Sequence, residues 1–164
     1  RANMDDIFAD ARFPGDPSLY CYAPSSLDRS LAPEGCSTLY VLVPVPPLSP
    51  ASPRWTDAEV AEYRDRVLDL MERETVYEDV RDHIVFERAY TPLDFAERFN
   101  AYDGATFGLR PTLGQSNYWR PHNKATDCNR LYFCGSSVHP GAGVPIVLLS
   151  AKLAAEELMR DDRL

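Results

Sequence analysis

The sequence predicts a mixed α/β chain, because strand-like and helix-like patterns both occur along its 164 residues. Short apolar runs at residues 18–23 and 37–43 are typical of strands. Apolar residues at helical spacing occupy residues 56–74 and 145–160. A turn rich in glycine and proline, residues 135–145, precedes the second of these helices and gives the clearest indication of function.

The first two strands predict an antiparallel pair joined by a long polar loop. Residues 37–43 are apolar nearly throughout, so we expect both faces of that strand to be covered. Prolines between residues 44 and 53 end the strand, since proline cannot donate a backbone hydrogen bond to a sheet.

Two helices have clear start signals. Thr56 and Glu59 form a capping box, which predicts a helix from there to about Glu74 with its charged side in solvent. Thr91 is expected to cap a second helix, with Pro92 at its first position and an end near Asn100. Between the two, residues 83–90 alternate sufficiently to predict a third strand.

A long irregular segment, residues 101–127, follows the second helix. Such a segment usually lines a site or covers a partner element. Its aromatic residues Tyr118 and Trp119 allow another interpretation, in which they seal a core from a packed surface loop.

The turn at residues 135–145 lies between a short apolar strand at 131–134 and a helix that we expect to be buried between layers. Gly135, Gly141 and Gly143 leave the backbone bare, so its N–H groups could approach an anion or a cofactor oxygen. Glycine at a strand-to-helix corner also permits close packing. The local pattern leaves both interpretations open.

No catalytic residue can be assigned from the turn. His139 could act as a base, but we favour a structural role because no carboxylate lies near it in sequence. Ser136 follows a strand glycine, yet Val138 and His139 occupy the place where a nucleophile elbow needs its second glycine.

Composition and charge restrict the function classes. The 25 acidic residues outnumber the 17 basic ones, which gives a net charge of -8. Because phosphate binding needs clustered Lys and Arg, this balance argues against nucleic acid. The longest apolar stretch, residues 144–155, contains Lys152 and is shorter than the roughly 20 residues of a membrane-spanning helix.

Cysteines and histidines indicate neither disulfides nor a metal site. The four cysteines form no CxxC pair, which favours reduced thiols and a cytoplasmic location. The histidines, His83, His122 and His139, are scattered and lack nearby ligand partners in sequence, so we expect no metal.

Five segments in order resemble the C-terminal part of bacterial and fungal phytoene desaturases, within the wider flavin amine oxidase-like group. They are DPSLY at 16–20, APEG at 32–35 with LYVLVPVP at 39–46, TPLDF at 91–95, RPHN at 120–123 and HPGAGVP at 139–145. The resemblance extends from about Ile7 to Leu158.

This resemblance implies the C-terminal portion of a two-domain, Rossmann-type FAD-binding flavoprotein that desaturates a long apolar polyene. Residues 1–103 would belong to the substrate-binding domain, with strands and amphipathic helices around the polyene. Residues 104–164 would be the segment that returns to the FAD-binding domain. The family also implies peripheral contact with a membrane, because polyenes reside in bilayers.

The resemblance also implies which residues contact FAD. They are Gly135, Ser136, His139, Pro140, Gly141, Gly143, Val144 and Pro145. Many flavoproteins of the wider group carry an acidic residue after the strand glycine, where this chain has Ser136 and Ser137. The contact with the ribityl chain is therefore expected to be weaker or made otherwise.

The main phosphate-binding motif of such enzymes is missing, since no GxGxxG follows a strand in this chain. Together with a start at Arg1, this predicts a piece of a longer protein that needs its N-terminal part. A related polyene saturase or isomerase remains an alternative, as does a non-catalytic binding module that retains part of the fold.

Overall fold

A computed structural model describes residues 2–110 and 112–162 of the chain. These residues form two compact units, Arg1–Asp94 and Phe95–Leu164, which are treated separately below. The assignment of residues 1–103 and 104–164 to a substrate domain and a cofactor domain stays a prediction.

Four α-helices and two strands make up the regular structure of the described residues. In chain order they are α1 (Ala2–Phe8), β1 (Tyr20–Tyr22), β2 (Tyr40–Leu42), α2 (Asp57–Glu74), α3 (Pro92–Phe99) and α4 (Val144–Asp161). Short 3₁₀ turns occur at Pro24–Ser26, Arg29–Leu31, Val80–His83, Tyr102–Gly104, Leu113–Gln115 and Asn117–Trp119. A mixed fold of helix and strand is thereby confirmed.

The core of the first unit lies between α2 and the sheet. The buried side chains of α2 are Tyr63, Val67, Leu68 and Met71. They pack against partly buried residues that include Cys21 of β1 and Val41 of β2, which are paired directly across the antiparallel sheet. The predicted antiparallel pair is therefore confirmed, with shorter strands than expected.

The other face of this sheet carries exposed tyrosines. Tyr20, Tyr22 and Tyr40 lie on it, and the rings of Tyr20 and Tyr40 are 6.5 Å apart. The prediction that both faces of residues 37–43 are covered is wrong for the described residues, because α2 packs on one side only.

Both predicted helix starts in this unit are confirmed. The Thr56 hydroxyl accepts a hydrogen bond from the Glu59 N–H at 3.3 Å, and the Glu59 carboxylate accepts one from the Thr56 N–H at 2.9 Å. The Asp94 carboxylate likewise accepts from the N–H of Thr91 at 2.9 Å, ahead of α3. Helix α2 ends at Glu74, as its apolar spacing predicts.

The predicted strand at residues 83–90 is wrong. The chain forms a 3₁₀ turn at Val80–His83 and then runs on without a strand partner among the described residues. Glu87 is instead fixed by Arg64 of α2, whose Nε and Nη2 donate to the carboxylate at 2.7 to 3.0 Å. Val85 and Phe86 are exposed, so the alternating pattern has no apolar surface to cover here.

Helix α4 has the predicted bounds within one residue but not the predicted burial. Val144 and Leu148 are exposed, and Ser150 is its fully buried residue. The expectation of a helix buried between layers is therefore wrong for the described residues. The predicted strand at 131–134 is also wrong, since its pairing is reduced to one antiparallel bridge between Tyr132 and Lys124.

The C-terminal end of α4 is tied to this bridge through Asp161. Its carboxylate accepts hydrogen bonds from the Lys124 ammonium at 2.7 Å and from the Tyr132 hydroxyl. Both bonds favour the ionised carboxylate and lower the pKa of Asp161, the Lys124 bond more strongly. The same hydroxyl contact raises the pKa of Tyr132 to about 12.

Replacing Asp161 with Asn should lower the stability of the protein by an amount that depends on pH. A lowered carboxyl pKa contributes stability above the unfolded value of about 3.9, and this is lost as pH falls through the folded value. A raised tyrosine pKa contributes below its unfolded value of about 10, and this is lost as pH rises toward 12. The difference in urea midpoint between wild type and Asp161→Asn should thus be largest near neutral pH.

The measurement uses the full-length protein, with Asp127→Asn as the matched control because Asp127 is exposed and has no ion-pair partner among the described residues. The control should leave the midpoint unchanged across the range. A difference for Asp161→Asn that stays constant from acid to alkaline pH would contradict the assignment.

Candidate functional site

The turn between residues 135 and 145 has a backbone that favours glycine at three points. Gly135, Gly141 and Gly143 have φ values of 126°, 137° and 111°, which side chains with a Cβ rarely adopt. Gly143 is the N-cap of α4, and no side chain caps that helix start. The first backbone N–H groups of α4, to which Pro145 contributes none, therefore have no side-chain cap.

Asn123 links the segment before the turn to the middle of the turn. Its side-chain amide lies within hydrogen-bond distance of the carbonyls of Phe133 (3.0 Å) and His139 (3.2 Å). It also reaches the carbonyl and the hydroxyl of Ser150, at 3.3 and 3.0 Å. Because Asn123 is buried, these contacts fix the turn against both α4 and the segment before it.

Ser150 completes this buried network. Its hydroxyl donates to the His139 carbonyl at 2.8 Å and accepts from the Gly135 N–H at 3.2 Å. One side chain of α4 thus contacts the first glycine of the turn and the residue four positions later. The path of the backbone between them is set by α4.

Arg120 supports the turn from another side. Its guanidinium donates to the Ser136 carbonyl at 2.8 Å and to the Leu109 carbonyl at 2.9 Å. Its Nε lies 3.2 Å from the point that a Cβ on Gly141 would occupy. Gly141 is therefore a packing glycine, which makes room for Arg120.

The other two glycines differ from Gly141. A Cβ on Gly135 would meet nothing within 4 Å, and one on Gly143 would meet only an Ile146 side-chain carbon, at 3.6 Å. Space is thus left open beside Gly135 and at the start of α4. The two interpretations of the turn apply to different positions, with packing at Gly141 and an open backbone at Gly135 and Gly143.

The remaining predicted site residues lie on the same turn. His139 is held through its backbone, since its N–H donates to the Pro121 carbonyl at 2.9 Å and its own carbonyl accepts from Ser150. Its ring is 6.2 Å from that of His122. These contacts support a structural role for His139. Val144 and Pro145 are exposed at the start of α4.

The loop before the turn does not seal a core. Tyr118 and Trp119 are 69% and 71% exposed, so the interpretation that they close a packed core is wrong for the described residues. The irregular course predicted for residues 101–127 is confirmed, with short 3₁₀ turns along it.

The turn and its supports occur in a sequence that matches a known family over most of its length. Residues 13–159 match the family described as flavin containing amine oxidoreductase. The chain belongs to this family. Membership implies a flavin cofactor, and the predicted resemblance is thereby confirmed.

Two curated relatives are similar to the chain at the level of individual enzymes within the family. The chain is 49% identical over 162 residues to a 4,4'-diapophytoene desaturase (4,4'-diaponeurosporene-forming) of Staphylococcus haemolyticus, which covers 98% of the chain. It is 46% identical over 166 residues to the enzyme of the same name in Staphylococcus aureus, strain MRSA252. In both cases the chain spans about a third of the relative's length, 32%.

Three residues that support this turn were not predicted from the sequence. Arg120 and Asn123 belong to the RPHN segment, which the sequence analysis used for the resemblance without giving either residue a role. Ser150 is a single polar residue in the apolar half of the last helix, and this was the signal that could have indicated its role.

Among the helices that the structure describes, none combines the length and hydropathy needed to span a bilayer.

Replacing Asn123 with Ala is expected to destabilise the C-terminal unit by about 1–3 kcal/mol, because the Phe133 carbonyl loses its side-chain donor and the His139 carbonyl loses one of its two. Thermal unfolding and hydrogen exchange of residues 133–150 in the full-length protein measure this. Asn129→Ala is the matched control, since Asn129 is exposed and its side chain has no hydrogen bond among the described residues. Equal exchange rates in the two variants would contradict the network.

Proposed function

We propose that the chain is the C-terminal part of an FAD-dependent carotenoid desaturase. The observation that carries this proposal is the identity of 46–49% with 4,4'-diapophytoene desaturases over 98% of the chain. The relatives' remaining two thirds would supply the strand and glycine motif that hold the ADP half of FAD.

We infer that the turn contacts the flavin end of FAD. The exposed Gly143 and the uncapped start of α4 support this, because they leave backbone donors accessible to a negatively polarised group. The open space beside Gly135 leaves room for such a group next to the turn. The proposed contact residues are Gly135, Ser136, His139, Pro140, Gly141, Gly143, Val144 and Pro145. Arg120, Asn123 and Ser150 would hold this backbone in place from beneath.

A flavin at this position supplies the hydride acceptor for removing hydrogen from a carbon–carbon single bond. The contribution of the chain is electrostatic and geometric. The N-terminus of α4 carries about half a positive charge, which favours the negative charge gained on reduction. The Asn123 and Ser150 network would hold the backbone from Gly135 to His139 in one conformation, so that it need not reorganise when a bound flavin is reduced.

For the substrate, we propose the tyrosine-bearing face of the β1–β2 sheet as part of the wall around the polyene. Tyr20, Tyr22 and Tyr40 present aromatic rings there, while the opposite face forms the core against α2. An apolar polyene is held by dispersion and shape more than by polar contacts. Because such a substrate resides in bilayers, we also propose that the enzyme is cytoplasmic and contacts the membrane peripherally.

The reaction is tested with the full-length, flavin-loaded protein and 4,4'-diapophytoene. A desaturase should return polyenes that have lost hydrogen in pairs and that absorb at longer wavelength. Products that gained hydrogen would indicate a saturase, and isomers of unchanged mass an isomerase. Either result would overturn the proposal of desaturation while leaving the flavin site intact.

The role of the turn is tested by Gly143→Ala in the same protein. Alanine is strained at a φ of 111° by about 1–3 kcal/mol, so the turn should relax and move its N–H groups out of the geometry that binds flavin. Flavin affinity should fall about tenfold, which corresponds to about 1.4 kcal/mol of lost binding free energy. Gly114→Ala is the matched control, because its Cβ would meet nothing and its φ is not in the left-handed range. Titration of the apoprotein with FAD, followed by flavin fluorescence, measures both. Unchanged affinity for Gly143→Ala would count against a flavin-contacting turn.

A further inference from the structure

Arg120 is the one charged side chain among the buried residues that the structure describes. It is 4% exposed. No carboxylate of the described residues forms an ion pair with it, and the acceptors of its hydrogen bonds are the carbonyls of Ser136 and Leu109. The arginines that form ion pairs are far more exposed, such as Arg12, Arg64 and Arg130.

A buried guanidinium is costly without a negative partner. Two neutral carbonyls satisfy part of its five N–H donors, but their dipoles compensate only part of the charge. This cost is offset where the charge or the fixed fork geometry of the guanidinium has a use. The position of Arg120 indicates what that use is.

The guanidinium lies directly beneath the glycine turn. Nη1 binds the carbonyl of Ser136, and Nε lies against Gly141, so the side chain contacts both ends of the arc between residues 136 and 141. Helix α4, whose N-terminus carries a partial positive charge, begins at Val144, three residues after Gly141. Two sources of positive potential therefore lie at one turn, and both would attract a negative group bound there.

We propose that Arg120 is a positioning residue that also supplies a fixed positive charge to the flavin turn, where it stabilises the reduced, negatively charged flavin. This inference rests on the proposed function. Its low exposure matters, since a charge away from solvent is screened much less than a surface charge. Arg120 does not need to touch the flavin for this effect.

The charge and the hydrogen-bonding fork can be separated by substitution. Arg120→Lys keeps the charge but loses the fork that joins Ser136 to Leu109. Arg120→Gln keeps an amide donor but loses the charge. Arg130→Gln is the matched control, because it removes an equal charge from a residue of the same unit whose side chain is 81% exposed.

The experiment measures the two-electron midpoint potential of the flavin in the full-length protein and each variant. Arg120→Gln should weaken the preference for reduced over oxidised flavin about tenfold, which lowers the midpoint by about 30 mV. Arg120→Lys should keep most of the wild-type potential while binding flavin more weakly. Arg130→Gln should change neither property.

The outcomes separate this inference from the proposed function. A protein without flavin would overturn both, whereas a flavoprotein in which Arg120→Gln keeps the wild-type potential overturns the role of Arg120 alone. If that variant does not fold, Arg120→Met, which fills similar space without the charge, is measured in its place. A lowered midpoint potential in this variant supports the inference, and the wild-type potential overturns it.

Discussion

The buried contact between Asn123 and Ser150 is the constraint on which the C-terminal unit depends. Helix α4 offers few buried apolar side chains among the described residues, so its start is fixed by hydrogen bonds instead of by packing. Through Ser150 the helix reaches Gly135 and His139, and through Asn123 it reaches Phe133. Removing either partner would break several hydrogen bonds at once, because each serves more than one acceptor or donor.

The two units are stabilised by different physical means. In the first, α2 buries Tyr63, Val67 and Met71 against one face of a two-stranded sheet, so apolar contact dominates. In the second, the buried polar side chains of Arg120, Asn123 and Ser150 hold the backbone of the turn. Buried polar networks specify one backbone path more strictly than apolar packing does. Such strictness suits a turn whose N–H groups must point in set directions.

The sequence predicted correctly those features that depend only on residues close together in the chain. The capping box of Thr56 with Glu59 and the cap at Thr91 each involve residues three apart, and both are confirmed. The strand at 83–90 and the burial of α4 depend on a second layer that the described residues do not provide, so periodicity alone gave the wrong result. The contacts of Arg120 and Asn123 span 10 to 27 residues, which no local pattern could reveal.

The exposed apolar half of α4 has a consequence for synthesis. Four apolar side chains of α4 are exposed in this unit, those of Val144, Ile146, Leu148 and Leu149. An exposed apolar helix face of this kind promotes aggregation until another surface packs on it. Within this chain α4 is translated after all the other described elements. Any earlier-folding surface that receives it would already exist when it leaves the ribosome, which shortens the time its apolar side chains spend in water.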